Sequence, residues 1–126
     1  MNFRREETPS GATIFVGRNA RQNDALVAAH RGDPSKTWLH EGEGRGGAHV
    51  VLVSPGGRHS DADVERAARL ALFHSKVTND DQKYNGVVHY CSIDDVVKPK
   101  KAPPGLVEIR DYRSMSFFKK SSQKRQ

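Results

Sequence analysis

Residues whose side chains could bind an anion fall in three short stretches of the sequence. The first lies between an apolar run and an alanine-rich run, and it contains two arginines and three carboxamides: Arg18, Asn19, Arg21, Gln22 and Asn23. If a helix begins here, its free backbone N–H groups and its dipole favour an anion, and the arginines flank that end. The stretch is therefore either a polar strand-to-helix connection that faces water or an edge that contacts a phosphate or a nucleotide.

The second stretch is the glycine-rich loop at residues 41–47, which holds four glycines in seven residues between His40 and His49. Such a loop can cradle phosphate because glycine lets backbone N–H groups approach a ligand closely. It lacks the Lys-Ser/Thr ending of a Walker A loop and contains two glutamates, which argues against a nucleoside triphosphate. The two histidines either hydrogen bond to loop carbonyls or line a groove with Arg45 and the arginines of the first stretch. In a groove, imidazole donates to phosphate or stacks on a base.

The third stretch, residues 98–105, combines Lys98, Lys100 and Lys101 with three prolines. Proline fixes the backbone and removes ladder donors, so the segment is extended and stiff. It is either a solvated loop that aids solubility or a second anion-binding patch.

The sequence gives no sign of a catalytic or metal centre. A structural zinc site needs four ligands in recognisable pairs, whereas the closest pair of possible ligands here is His89 and Cys91. Cys91 falls in the middle of a predicted strand, where a buried and inert thiol is the common case. With no carboxylate pair, activated serine or cofactor fingerprint, we expect a protein without cofactor, without metal and without enzymatic activity.

The elements that position these residues are predicted from periodicity and turn chemistry. Two helices are expected at residues 22–30 and 60–76, and six strands at 13–16, 37–40, 49–53, 86–92, 106–109 and 114–118, the last two forming a hairpin. Alternation places Trp38 and His40 on one face of their strand, and Trp38 is expected in the core rather than stacked on a base. The fold class is therefore α+β: a single domain with a mostly antiparallel sheet and two helices, in the order β-α-β-β-α-β-β-β.

Length, cysteine content and charge set further limits. The 126 residues form one domain whose core needs no disulfide, and a single cysteine fits a reducing compartment. No apolar run approaches the roughly 20 residues that span a bilayer, and the N-terminus is not a secretory signal, so we expect a cytoplasmic protein with no membrane partner. Of the 21 lysines and arginines, four lie in the last eight residues, which leaves 17 basic against 15 acidic groups in residues 1–118. We thus expect a domain over residues 1–118, with residues 1–10 as a leader or edge extension, and a basic, disordered tail over 119–126.

Four blocks of the sequence resemble the NFACT-R domain family, over residues 13–117. They are residues 16–24 (VGRNARQND), 37–40 (TWLH), 47–50 (GAHV) and 98–107 (KPKKAPPGLV), in the order that the family has them. The family usually has Pro-Gly-Ser before the histidine of the third block, whereas this sequence has Gly46, Gly47 and Ala48. NFACT-R domains occur in tRNA- and ribosome-binding proteins of ribosome-associated quality control and in small stand-alone proteins.

The resemblance implies a nucleic-acid-binding module, with RNA (tRNA or ribosomal RNA) as partner and the ribosome or its associated proteins as context. The predicted binding residues are Arg18, Asn19, Arg21, Gln22, Asn23, His40, Arg45, His49, Lys98, Lys100 and Lys101. A protein-interaction subunit that docks through Trp38 or through edge strands is the alternative. A small phosphate-ligand enzyme is a weaker one, which needs a deep pocket joining both histidines to the glycine-rich loop.

Overall fold

A six-stranded antiparallel sheet organises the chain in the computed structural model, which describes residues 1–77 and 79–118. The order of strands across the sheet is β1-β2-β4-β3-β5-β8, and a separate two-stranded sheet pairs β6 with β7. The strands are β1 (Arg4–Glu7), β2 (Thr13–Val16), β3 (Thr37–Glu41), β4 (Val50–Val53), β5 (Gly86–Ser92), β6 (Val96–Val97), β7 (Glu108–Ile109) and β8 (Arg113–Phe117).

One helix covers each face of the sheet. Helix α1 (Ala20–His30) buries Leu26 and Val27 against Trp38 and the α1 side of β3, β4 and β5. Helix α2 (Asp61–Phe73) carries a stripe of alanines, which is buried against alternate residues of the same strands. Because successive side chains of a strand point to opposite faces, Trp38 packs beneath α1 while its neighbour Leu39 packs beneath α2.

The α+β class, the two helices and the mostly antiparallel sheet are therefore confirmed. The predicted leader contains an edge strand, since Arg4–Glu7 pairs with β2. Its sequence, RREE, has no apolar alternation because the side chains of this edge strand stay largely exposed and backbone hydrogen bonds hold it.

The predicted C-terminal hairpin is wrong. Strand β7 pairs with β6, whereas β8 pairs with β5 over a register that runs from Gly86 opposite Phe117 to Tyr90 opposite Arg113. The seven-residue β5 offers a long free edge, and pairing there buries Phe117 in the core on the α2 side. The burial of Phe117 thus favours pairing of β8 with β5 over a hairpin with β7, although the hairpin would need only a short connection.

The predicted basic tail, residues 119–126, lies outside the described residues. Over residues 1–77 and 79–118, neither helix is long and apolar enough to cross a membrane. Cys91 is a buried free thiol, and burial raises its pKa to about 12, so it stays protonated.

Candidate nucleic-acid interface

A groove of about 810 Å³ runs between the start of α1, the glycine-rich loop and the proline-rich segment. Five of the predicted binding residues line it: Arg18, Asn19, Asn23, His40 and His49. The other predicted residues, Arg21, Gln22, Arg45, Lys98, Lys100 and Lys101, lie outside its walls. The structure therefore joins the first and second stretches of the sequence in one site.

The start of α1 is closed by a reciprocal pair of hydrogen bonds. The Asn19 side chain caps the helix by accepting from the Gln22 backbone N–H at 2.9 Å, and Gln22 Oε1 accepts from the Arg18 N–H at 2.9 Å. This arrangement satisfies backbone donors that would otherwise be free at the helix terminus. An anion at this end therefore meets the exposed side chains of Arg18 and Arg21 rather than these N–H groups.

Asn23 is buried and joins α1 to the residues that precede β4. Its Oδ1 accepts from the His49 N–H at 3.0 Å, and its Nδ2 donates to the Gly47 carbonyl at 3.3 Å. Gly17 is needed because a Cβ there would come within 2.1 Å of Asn23 Oδ1. A glycine is required here because the backbone approaches Asn23 closely. A positive φ is not the reason, since Gly17 is not among the glycines with positive φ in the described residues. Asn23 lines the groove, and its hydrogen bonds also hold α1 against the residues that precede β4.

The glycine-rich loop is organised around the buried carboxylate of Glu41. Glu41 Oε1 accepts from the N–H groups of Glu43 and Arg45, both at 2.8 Å, and Oε2 accepts from the Gly46 N–H at 3.0 Å. The backbone N–H groups of the loop, which could bind a phosphate in a cradle, therefore bind the Glu41 carboxylate instead. Arg45 extends the same structure by donating to the Gln82 carbonyl at 2.7 Å and to Glu43 Oε1 at 2.8 Å.

A cluster of three rings lies beneath the groove. His40 is stacked on Trp38 with centroids 5.6 Å apart and planes at 10°, and His49 meets both rings edge-on at 5.4 Å and 5.2 Å. The two histidines are thus close together, as adjacent pairing of β3 and β4 requires. Trp38 is buried, which confirms its core position, whereas the His40 side chain keeps 21% of its surface exposed.

Both histidines are held in the neutral form, and their hydrogen bonds show which ring nitrogen of each carries the proton. Burial lowers the pKa of His40, opposed by the nearby Glu41 carboxylate, and its Nδ1–H donates to the Glu41 carbonyl at 2.7 Å. Burial, followed by the proximity of His40, lowers the pKa of His49 to about 4. Because a carbonyl only accepts, His49 Nε2 carries the proton that bonds to Gly105 O at 3.1 Å, and Nδ1 is left as an acceptor. Neither His49 Nδ1 nor Trp38 Nε1 has a hydrogen-bond partner in the described part of the chain.

The proline-rich segment forms one wall and is fixed by Lys98. Lys98 Nζ donates to Asp24 Oδ1 at 3.1 Å, to the Pro103 carbonyl at 2.6 Å and to the Leu106 carbonyl at 2.9 Å. Asp24 Oδ1 also accepts from the Gly105 N–H at 3.1 Å. Lys98 therefore ties the segment to α1, while Lys100 and Lys101 stay exposed on its outer side.

Four lining residues with a basic or imidazole side chain were not among the predicted binding residues: Arg4, His74, Lys76 and His89. Arg4 belongs to the unpredicted edge strand, and Lys76 follows α2, where its N–H donates to the Gly46 carbonyl at 3.0 Å. No sequence pattern marks these positions, since they meet only through tertiary pairing. Arg4 and Lys76 together with Arg18 give the groove a positive rim, while Glu41, the only acid lining its described part, is buried beneath the loop.

No protein-family model matches the chain. The chain is 37% identical over 103 residues to the Rqc2 homolog RqcH of Bacillus subtilis (strain 168), an alignment that covers 80% of this chain and 16% of that protein. Its fold is similar to the C-terminal part of the fibronectin/fibrinogen-binding protein from Streptococcus suis, with a TM-score of 0.80 and 25% identity over 97% of this chain and 47% of that one. The chain thus spans about a sixth of the curated relative and about half of the solved chain.

The relative from Bacillus is an NFACT protein, and the family motifs in residues 16–24 and 47–50 supply the start of α1 and the loop end that meet in the groove. The sequence identity, the fold and these motifs together identify the chain as an NFACT-R-like domain.

Proposed function

We propose that this domain is a non-enzymatic RNA-binding module of the cytoplasm that acts with ribosome-associated quality control. The relation to RqcH supports the ribosome-associated context. The groove supports RNA, because Arg4, Arg18 and Lys76 lie along its rim and Glu41, the one acid among the described lining residues, is buried and hydrogen-bonded. This positive rim carries the proposal, since contacts to phosphates supply most of the affinity of a sequence-insensitive nucleic-acid binder.

The docking alternative rests on exposed aromatic rings away from the groove. Phe73 is 43% exposed and Tyr84 is 48% exposed, with centroids 6.4 Å apart beside a cleft of about 290 Å³. Trp38 takes no part in such docking because it is buried. RNA is the better-supported ligand because Arg18 lines a cationic groove rather than a neutral apolar surface.

The enzyme alternative required a pocket that joins both histidines to the glycine-rich loop, and the groove does join them. Each histidine, however, donates its proton to a backbone carbonyl, and the loop N–H groups bind Glu41. These donors hold the site in shape, so we favour binding over catalysis.

The test compares two double variants that remove the same charge. Arg18→Ala with Arg21→Ala removes exposed cations at the start of α1, whereas Arg58→Ala with Arg69→Ala removes exposed arginines that do not line the groove. We expect the first pair to weaken binding of labelled tRNA and of a single-stranded oligonucleotide by roughly 10-fold or more at low salt, with an unchanged melting temperature. The matched pair should bind like the unchanged chain.

A version ending at Phe118 belongs in the same experiment, because it removes four basic residues of the tail. If only this truncation abolished binding, the groove would not be the RNA site and the proposal would fail.

A further inference from the structure

We propose that the groove accepts the base of an unpaired nucleotide, with the adjoining phosphates held by the cations of the rim. This inference rests on the proposed RNA function and names the part of RNA that enters the site. It predicts that single strands and loops bind, and that a fully paired duplex does not bind in the same way.

The size of the groove fits this ligand. Its volume of about 810 Å³ falls within the roughly 300–1,000 Å³ of pockets that enclose small organic molecules. A base with its sugar fits in such a space. In a duplex the bases are stacked and paired inside the helix, so only an unpaired nucleotide can direct its base into a groove.

The interior of the groove suits a base better than a phosphate. Trp38 and His40 form its floor, and the proline-rich segment supplies apolar walls through Pro103, Pro104 and Leu106. His40 is already stacked on Trp38, and its partly exposed ring offers the next layer for a planar group. Stacking on such rings tolerates every base, because each has a π-face.

The charges of the groove lie where phosphates would remain outside. The rim holds Arg4, Arg18 and Lys76, which are exposed, whereas the two histidines of the interior are neutral near pH 7. A phosphate pushed to the floor would lose water without gaining a charged partner. The base therefore enters and the backbone stays at the rim.

Two buried polar atoms of the floor residues give the site a capacity for hydrogen bonding. Trp38 Nε1–H is a donor and His49 Nδ1 is an acceptor, and neither has a partner within the described residues. The edge of a nucleobase presents an acceptor beside a donor, which is the complementary pair. Because both atoms are shielded from solvent, a base reaches them only if the groups that cover them shift.

The experiment uses the fluorescence of Trp38, the only tryptophan of the chain, which lies directly under His40. Three nucleic acids of equal length are titrated: a single-stranded RNA, an abasic strand with the same backbone, and a blunt-ended, fully paired duplex without a loop. We expect the base-bearing strand to bind roughly 10-fold or more tightly than the abasic strand, since stacking of one base contributes that order of affinity. It should also change Trp38 emission in a saturable way, which the abasic strand and the duplex should not do.

Two variants at one position provide the control. His40→Ala removes the exposed ring and should lower the preference for the base-bearing strand to about 1-fold, whereas His40→Phe keeps a ring and should retain it. Thermal unfolding of both variants verifies that the fold is intact.

The outcomes separate the two proposals. If the abasic strand and the duplex bind as tightly as the base-bearing strand, the domain reads only the backbone, which overturns this inference and leaves RNA binding standing. If no strand binds, the proposed function fails as well.

Discussion

At the scale of single residues, most polar groups of the groove already have partners within the chain. Asn23, Glu41 and Arg45 have residue types that suit a ligand, yet each holds backbone groups of the site in place. A buried polar group without a partner costs free energy, so these side chains are fixed by stability before any ligand arrives. Arg18 and His40 also donate to backbone carbonyls, but the Arg18 side chain is exposed and the His40 ring is partly exposed, so recognition depends on them.

His49 should make the domain sensitive to acid. Its pKa is lowered from 6.5 to about 4 in the folded chain, so between these values the unfolded chain binds more protons than the folded one. Stability is therefore independent of this group above pH 6.5 and falls as the pH drops toward 4, by about 3 kcal/mol in total. Urea unfolding at pH 7 and at pH 4.5 measures the loss.

The variant His49→Gln is the control for this prediction. Glutamine can still donate to the Gly105 carbonyl but does not titrate, so the variant should lose less stability over the same pH range. Some loss should remain, because burial also lowers the pKa values of His30, His40 and His74. An equal loss in the variant and the unchanged chain would show that His49 is not the acid-sensitive group.

At the scale of elements, the proline-rich segment is a wall whose position depends on one lysine. Lys98→Ala removes three hydrogen bonds that tie residues 103–106 to each other and to α1. We expect the variant to lose roughly 1–2 kcal/mol of stability and to expose the segment to proteolysis, because its backbone carbonyls lose a charged donor. Limited proteolysis followed by mass spectrometry locates the cleavage.

Lys100→Ala is the matched variant, since it removes the same charge from the same segment at an exposed position. It should leave both stability and the protease pattern unchanged. Equal effects of the two substitutions would mean that Lys98 acts only as a surface charge.

The elements also show which features of the fold the sequence could predict. Helix α1 follows from an alanine-rich run and β4 from the apolar residues Val50–Val53, because their patterns are local. The helix begins at Ala20, two residues before its predicted start, with Asn19 as its cap. Strand β1 and the partner of β8 depend on which sheet edge is free, which no local pattern encodes. The proximity of His40 and His49 could be expected, because they flank two strands that are neighbours in the sequence. The positions of Arg4 and Lys76 at the groove could not, because they depend on contacts between elements distant in the sequence.

At the scale of the whole molecule, the distribution of charge matters more than its total. The net charge of +6 includes four basic residues of the tail, and residues 1–118 are nearly balanced. Within the described residues, Arg66 and Arg69 on α2 are paired with glutamates, whereas the cations of the groove face no exposed acid along its walls. The domain is therefore weakly basic overall, and Arg4, Arg18 and Lys76 place positive charge along the groove without an exposed acid to offset it.

The salt dependence of RNA binding should report how many phosphates are contacted by the groove cations and by Arg21, which is exposed on α1 outside the groove walls. If Arg4, Arg18, Arg21 and Lys76 each contact one phosphate, the logarithm of affinity should fall with the logarithm of salt at a slope of about −3, since each contact to a single strand contributes about −0.7. Removing Arg4 and Lys76 together should flatten the slope by about 1.4, as should removing Arg18 and Arg21. The Arg58→Ala and Arg69→Ala pair should leave it unchanged. A slope that stays near −3 without Arg4 and Lys76 would show that these two cations do not contact phosphates, although Arg4 on β1 and Lys76 after α2 both line the groove.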